Sequence, residues 1–189
     1  MKAIIQRVRS ASVTVEKQLV SSIGRGVLVF AAVAPGDTAK EADSLATKVV
    51  RMKLWDDEDG GRWQRSVTDI EGEVLCVSQF TLLAKTKKGT RPDFHGAANP
   101  EQARQLYHYF VQKVKDLYLA DRVKDGKFQA MMEVALVNDG PVCHIYSRLL
   151  SRQKCADALH RLLWSSRLEL PCLSGRGRVT QTMRIRCDA

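Results

Sequence analysis

The chain has 189 residues, 44% of them hydrophobic, and its 30 Lys/Arg against 21 Asp/Glu give a net charge of +9. That size and apolar content suit one domain with a real core. No run of 18 apolar residues offers a membrane span, and the N-terminus has neither a continuous apolar h-region nor a cleavage site, so a cytoplasmic protein is expected.

In chain order, "KAIIQRV" and "SASVTVE" predict two strands, the second with Ala11, Val13 and Val15 alternating against Ser10, Ser12 and Thr14. Gly24-Arg25-Gly26 supplies a turn, and the continuous apolar run 27–34 predicts a strand covered on both faces. Thr38 and Glu41 form an S/T-x-x-E capping box before a helix over 39–52. "KLWDD" suggests a short strand ending near Asp59-Gly60-Gly61, and the acidic run 56–59 a solvated loop. "EVLCVSQFTLLA" (73–84) is the strongest strand signal. Asn99 as N-cap with Pro100 at N1 predicts a helix over about 100–119. "FQAMMEVALVN" predicts a last strand with Ala130, Met132, Val134 and Leu136 on one face. The order implies a mixed α/β domain, its sheets largely antiparallel, with two main helices packed on them.

Beyond Val142 the composition changes. Residues 1–142 carry 21 cations and 18 anions (+3), whereas residues 143–189 carry nine and three (+6). Four of the five cysteines, Cys143, Cys155, Cys172 and Cys187, also fall there, in spacings that fit no CxxC metal pair. Residues 1–142 thus read as the domain and 143–189 as a basic tail. Helical periodicity continues to Leu163, and 173–189 reads as disordered.

Conventional catalytic signatures are missing. Ser78 lies in "CVSQFTL" without a G-x-S-x-G elbow, and sequence places neither His95 nor His108 beside it. Ser78 and Thr81 therefore also fit a plain strand with a polar side. His95 with Asp93 is only half of a metal site, so no metal and no cofactor is expected. The loop "KTKKGTRPDFHG" offers Lys85, Lys87, Lys88 and Arg91, followed by Phe94. Cations hold phosphates and an aromatic ring stacks a base, so this loop fits an RNA 3′ end or, more plainly, a solvated charge run.

Taken together, "QRVRSASVTV", "SQFTL" at 78–82 and "NDGPV" at 138–142 resemble the Gly-cisPro type of D-aminoacyl-tRNA deacylase, with "KGTRPDFH" and "KDGKF" also fitting. The resemblance spans residues 1–142 and implies that family's fold. It implies hydrolysis of the ester joining a D-amino acid, or glycine on the wrong tRNA, to the terminal adenosine of tRNA. It further implies a homodimer in which Gly140-Pro141 enters the partner's pocket and excludes L side chains, with Arg7 and Asn138 supporting that loop. Backbone N–H groups around Ser78, Gln79, Phe80 and Thr81 would hold the oxyanion, with Thr81 as a covalent nucleophile the rival view. Lys85, Lys87, Lys88, Arg91 and Phe94 would receive the tRNA end. The chain departs from the family pattern at Cys143, where a threonine is usual, and in the tail that follows. This departure carries the alternative, a weakened or inactive RNA-binding relative, although "VCHIY" can still form a short strand.

Overall fold

In the computed structural model, which describes residues 1–85, 91–147 and 180–185, the two expected N-terminal strands are one, β1 (Lys2–Val15). No Gly or Pro separates Val8 from Ser10, so the chain does not turn there. It bends instead through register shifts at Gln6/Val8 and Val8/Ser10 against its neighbour. The turn comes later, at Glu16 and Lys17, which both take positive φ (51° and 65°), as two-residue hairpin loops favour. It leads into β2 (Gln18–Ile23). The sequence hid this strand because most of its residues are exposed, so it carries little buried alternation.

β3 (Gly26–Ala32) is buried along its whole length, as the apolar run predicted. Gly26 is required for contact: a Cβ there would lie 1.8 Å from the carbonyl oxygen of Glu73 on the next strand. α1 (Ala39–Arg51) begins at Thr38 with both halves of the capping box formed. "KLWDD" makes only one bridge, Trp55 to Arg65. β4 (Glu73–Ser78) is shorter than expected, because residues 80–83 close a 3-10 turn. Both halves of "EVLCVSQFTLLA" are apolar, and a short apolar run does not distinguish strand from turn. α2 (Pro100–Leu117) starts where Asn99 accepts the Glu101 N–H, 3.0 Å. β5 (Val123–Asp125) follows.

β6 (Met132–Ser147) passes the change in composition at Val142 without a break. Its first half buries Met132, Val134 and Leu136, and its second half pairs Cys143–Ser147 with Lys2–Gln6 of β1. Residues 180–185, expected to be disordered, form β7, antiparallel to Met132–Val137. The alternating Thr180-Gln181-Thr182-Met183 gives this short segment strand character, and the open edge of β6 gives it a partner. The helical pattern of 148–163 lies outside the described residues, as do Lys87, Lys88, Cys155, Cys172 and Cys187.

The sheet runs β5-β4-β3-β1-β6-β7, with β2 on the far half of β1. Only the β3–β4 and β4–β5 pairs are parallel; β1 with β2, β3 and β6, and β6 with β7, are antiparallel. Alternation splits the core in two. Ala3, Ile5, Val27, Val29 and Ala31 face α1 and α2, packing on Leu45, Val49 and Phe110. Ile4, Val8, Leu28, Phe30 and Leu136 meet on the other side of the curved sheet. Both faces are covered, which is why β3 reads as unbroken hydrophobic sequence. Among the described residues no helix is long and apolar enough to cross a membrane.

Candidate active site

The C-terminal end of β4 opens into a turn whose backbone is partly unspent. The Gln79 N–H completes the sheet by donating to the Ala31 carbonyl, 2.8 Å, and the Leu82 N–H returns to the Gln79 carbonyl, 3.2 Å. The N–H groups of Phe80 and Thr81 lie between them and donate to no backbone carbonyl among the described residues. This follows from the turn itself, since the first donors of any helix lack an internal acceptor. The Gln79 side chain donates to Thr81 Oγ1 and holds that hydroxyl in place.

Beside this turn lies a cavity of about 510 Å³, within the roughly 300–1,000 Å³ typical of small-molecule sites. Ser78 and Phe80 line it, together with Phe94, Asn99, Tyr107 and Phe128. The Phe94 ring meets Phe80 edge to face with centroids 5.2 Å apart, so the loop aromatic does reach the end of β4. Lys85 exchanges backbone hydrogen bonds with Asp93, and Arg91 is exposed. His95 is 96% exposed and its ring pairs with Asp93. The two His95 N–H contacts hold the Asp93 carboxyl below its ordinary range. The His108 ring meets Tyr107 at a tilt and Phe128 edge to face.

Tyr107, Phe128 and Asn99 escaped the sequence reading as site residues. Tyr107 and Asn99 belong to helix signals, and Phe128 to "KDGKF" and the start of the strand signal "FQAMMEVALVN". The floor of the cavity is fixed by Tyr107, whose hydroxyl donates to Asp125 Oδ1, 2.5 Å. Burial raises the Asp125 pKa above its ordinary 3.8, opposed by the hydrogen bonds from Tyr107 and Gly126. The folded state therefore holds this proton over a window where the unfolded chain has lost it. Asp125 accordingly costs stability as pH rises from about 4 through its folded pKa. Asp125→Asn keeps a carbonyl oxygen that can accept from Tyr107 and does not ionise. Denaturant melts across pH should show wild type losing stability relative to Asp125→Asn over that window. Parallel curves would refute the assignment.

The Gly140-Pro141 peptide is cis. Both residues are exposed at a kink of β6 and neither lines the cavity of their own chain. The loop is held from two sides. Asn138 Oδ1 accepts the Val142 N–H, 3.0 Å, and its amide group reaches Cys143 Sγ, 3.8 Å. Cys143 Sγ also accepts from Gln6, 3.0 Å, so the cysteine occupies a bonded position in the strand. On the other side Arg7 Nε donates to the Asp139 carbonyl, 2.9 Å, and pairs with its carboxylate, 3.3 Å. Arg7 Nη1 donates to the Leu54 carbonyl, 2.5 Å, and the guanidinium lies 5.9 Å from the Trp63 ring centre. The sequence pointed to Arg7 and Asn138 only by resemblance; the supports at Leu54 and Trp63 had no signal.

The family model described as D-Tyr-tRNA(Tyr) deacylase matches residues 4–147. A D-aminoacyl-tRNA deacylase of Yarrowia lipolytica is 52% identical over 144 residues, covering 75% of this chain and 94% of that one. One of Drosophila melanogaster is 47% identical over 142 residues, covering 75% and 89%. A solved structure described as c-Myc DNA Unwinding Element Binding Protein is 43% identical with a TM-score of 0.75, covering 79% of this chain and all of that one.

Proposed function

The chain belongs to the D-Tyr-tRNA(Tyr) deacylase family, and from that premise we propose that it hydrolyses the ester of D-aminoacyl-tRNA, and of glycine on the wrong tRNA, while rejecting L-aminoacyl esters. The observation that carries this reading is the apolar cavity lined by Phe80, whose N–H, like that of the adjacent Thr81, donates to no backbone carbonyl among the described residues. The terminal adenosine enters against Phe80, Phe94 and Phe128, where aromatic rings can stack a base. Water adds to the ester carbonyl carbon, and the carbonyl oxygen becomes an oxyanion facing the two N–H groups. The tetrahedral centre then breaks its bond to the ribose 3′-oxygen, which takes up the proton lost by the water. The 2′-hydroxyl helps direct that water. The products are free tRNA and the D-amino acid. Each oxyanion donor is typically worth about 10²–10³-fold, and an aminoacyl ester is already activated, so no strong side-chain base is needed.

The exposed Gly140-Pro141 loop acts in a second copy of the chain, as part of a cytoplasmic homodimer. There it meets the substrate's α-carbon and leaves no room for an L side chain. Two features support this role: the loop does not reach its own cavity, and Asn138 and Arg7 hold it firmly. The non-enzymatic alternative rested on the tail displacing the final strand. β6 continues through Ser147, which favours the active enzyme.

The test is hydrolysis of D-Tyr-tRNA against L-Tyr-tRNA by the full chain. Rapid loss of the D ester alone supports the reading; survival of both esters overturns it. Ser78→Ala separates backbone-driven hydrolysis from a serine esterase. Turnover should fall by no more than about tenfold, because the backbone N–H groups of Phe80 and Thr81 remain in place when the Ser78 hydroxyl is removed. A loss of 10⁴-fold or more, as expected for a triad nucleophile, would refute the backbone mechanism.

A further inference from the structure

A second concavity lies away from the cavity at β4. It is a groove of about 210 Å³ between the last turns of α1 and the end of β6, lined by Ser44, Thr47, Lys48, Arg51, Met52 and Tyr146. The Ser44 and Tyr146 hydroxyls are 3.0 Å apart across it. Lys48 and Arg51 form no ion pair among the described residues. The carboxylate of Asp43 is engaged elsewhere, by Tyr109 at 3.1 Å and Lys113 at 3.9 Å, on the side of α1 that faces α2. Basic residues in a last helical turn complement the helix dipole, and that alone accounts for their presence. It does not account for a concave setting in which the Ser44 and Tyr146 hydroxyls join the two cations. His144 belongs to the same patch, since it shares a face of β6 with Tyr146. Burial first, and Lys48 second, lower its pKa. Lys48 and Arg51 make the patch positive.

We propose that this groove binds a phosphodiester of an RNA backbone, with Lys48 and Arg51 supplying charge and the hydrogen-bonded Ser44–Tyr146 hydroxyl pair donating its remaining O–H to a phosphate oxygen. That the RNA is the tRNA substrate rests on the reading above. The placement fits it. Three residues after Arg51, the Leu54 carbonyl accepts from Arg7, and the same guanidinium holds Asp139 beside Gly140-Pro141. The groove and the loop that would meet the aminoacyl end are thus joined through one side chain. A strand of RNA leading to that end has phosphates at regular spacing to place there.

The test uses the full chain with Lys48→Gln and Arg51→Gln combined, measuring tRNA binding across salt concentrations. Each phosphate contact adds about 0.7–0.9 to the slope of log affinity against log salt. The double variant should lower that slope by about 1 and weaken binding about tenfold near physiological salt. KM for D-Tyr-tRNA should rise with kcat unchanged, whereas hydrolysis of the D-tyrosyl ester of adenosine alone should not change. Lys48→Arg with Arg51→Lys should restore the slope. An unchanged slope in the double variant overturns the site. Inorganic phosphate titrated alone, followed by the His144 ring resonances, separates the two sources of the same chemistry. Saturation at phosphate concentrations that leave tRNA binding unaffected would make this a free-phosphate site and overturn the RNA assignment. Neither ester being hydrolysed by wild type, with the slope still falling in the variant, would leave the groove standing and remove the deacylase reading instead.

Discussion

Gly140→Ala is expected to slow hydrolysis of D-Tyr-tRNA by about a hundredfold or more while the protein stays folded. An alanine Cβ at this position would lie 2.8 Å from Val142 Cγ2 and 3.0 Å from Arg7 Nη2, in a backbone with φ of +129°. L side chains avoid that conformation, at a cost of about 1–3 kcal/mol. The Arg7 terminus can shift, but the Val142 methyl belongs to a packed strand and yields less. The loop itself must then move. Displacement of a positioning element by about 1 Å is enough for roughly a hundredfold loss of rate. Both residues of the loop are exposed, so little core packing is lost and the melting temperature should drop by only about 4–8 °C per kcal/mol of strain in a domain near 100 residues, less in this longer chain. Single-turnover hydrolysis with circular dichroism as the folding control decides it. A folded variant with wild-type rates would mean that this loop does not meet the substrate.

The residues that make this loop are legible in the sequence as a motif, whereas Arg7 is reached only through resemblance and its anchors at Leu54 and Trp63 have no signal. Asn138 and Gly140-Pro141 stand together in "NDGPV", so a local pattern carries them. Arg7 lies 132 residues from its partner Asp139, and the Leu54 carbonyl that completes its anchor has no side-chain identity to read. The same contrast holds for the fold. The capping box at Thr38 and Glu41 and the N-cap at Asn99 are local chemistry, and both formed where the sequence placed them. β1 was split in two because its bend is made by register shifts against β6, a long-range event that leaves Arg9 and Ser10 looking like a boundary. Sequence pattern extends β4 through Ala84 because Phe80–Leu83 are as apolar as the strand before them. That misreading bears on chemistry, since a strand would have engaged the Phe80 and Thr81 N–H groups in a ladder, and only the turn releases them. The Tyr107–Asp125 contact was hidden for a different reason: Tyr107 sits on the buried face of α2 and reads as core, and nothing in a helix pattern reveals that its hydroxyl reaches a carboxylate.

Arg7→Lys should lower D-ester hydrolysis by about 10–100-fold and, more tellingly, shrink the ratio of D to L rates. Lysine keeps the charge, and its single ammonium can reach one carbonyl. It cannot span Asp139 and Leu54 together, because that needs donors fixed in a planar fork. One buried acceptor then loses its partner, at a cost of about 1–3 kcal/mol. The lost restraint falls on Asp139, the residue before Gly140. A looser loop still admits the D substrate, with poorer alignment. It also yields to an L side chain that a rigid loop would exclude, so L-ester hydrolysis should rise or hold steady as D-ester hydrolysis falls. Arg7→Ala should cost more in stability, since it also removes the cation–π contact with Trp63 and the ion pair with Asp139, and it should show the same erosion of selectivity in whatever fraction remains folded. Parallel measurement of D-Tyr-tRNA and L-Tyr-tRNA decay separates the two kinds of defect. A general loss of stability lowers both rates by the same factor and leaves their ratio intact, whereas loss of the guanidinium clamp changes the ratio. An Arg7→Lys protein that is slower on both esters with an unchanged ratio would assign Arg7 to folding alone.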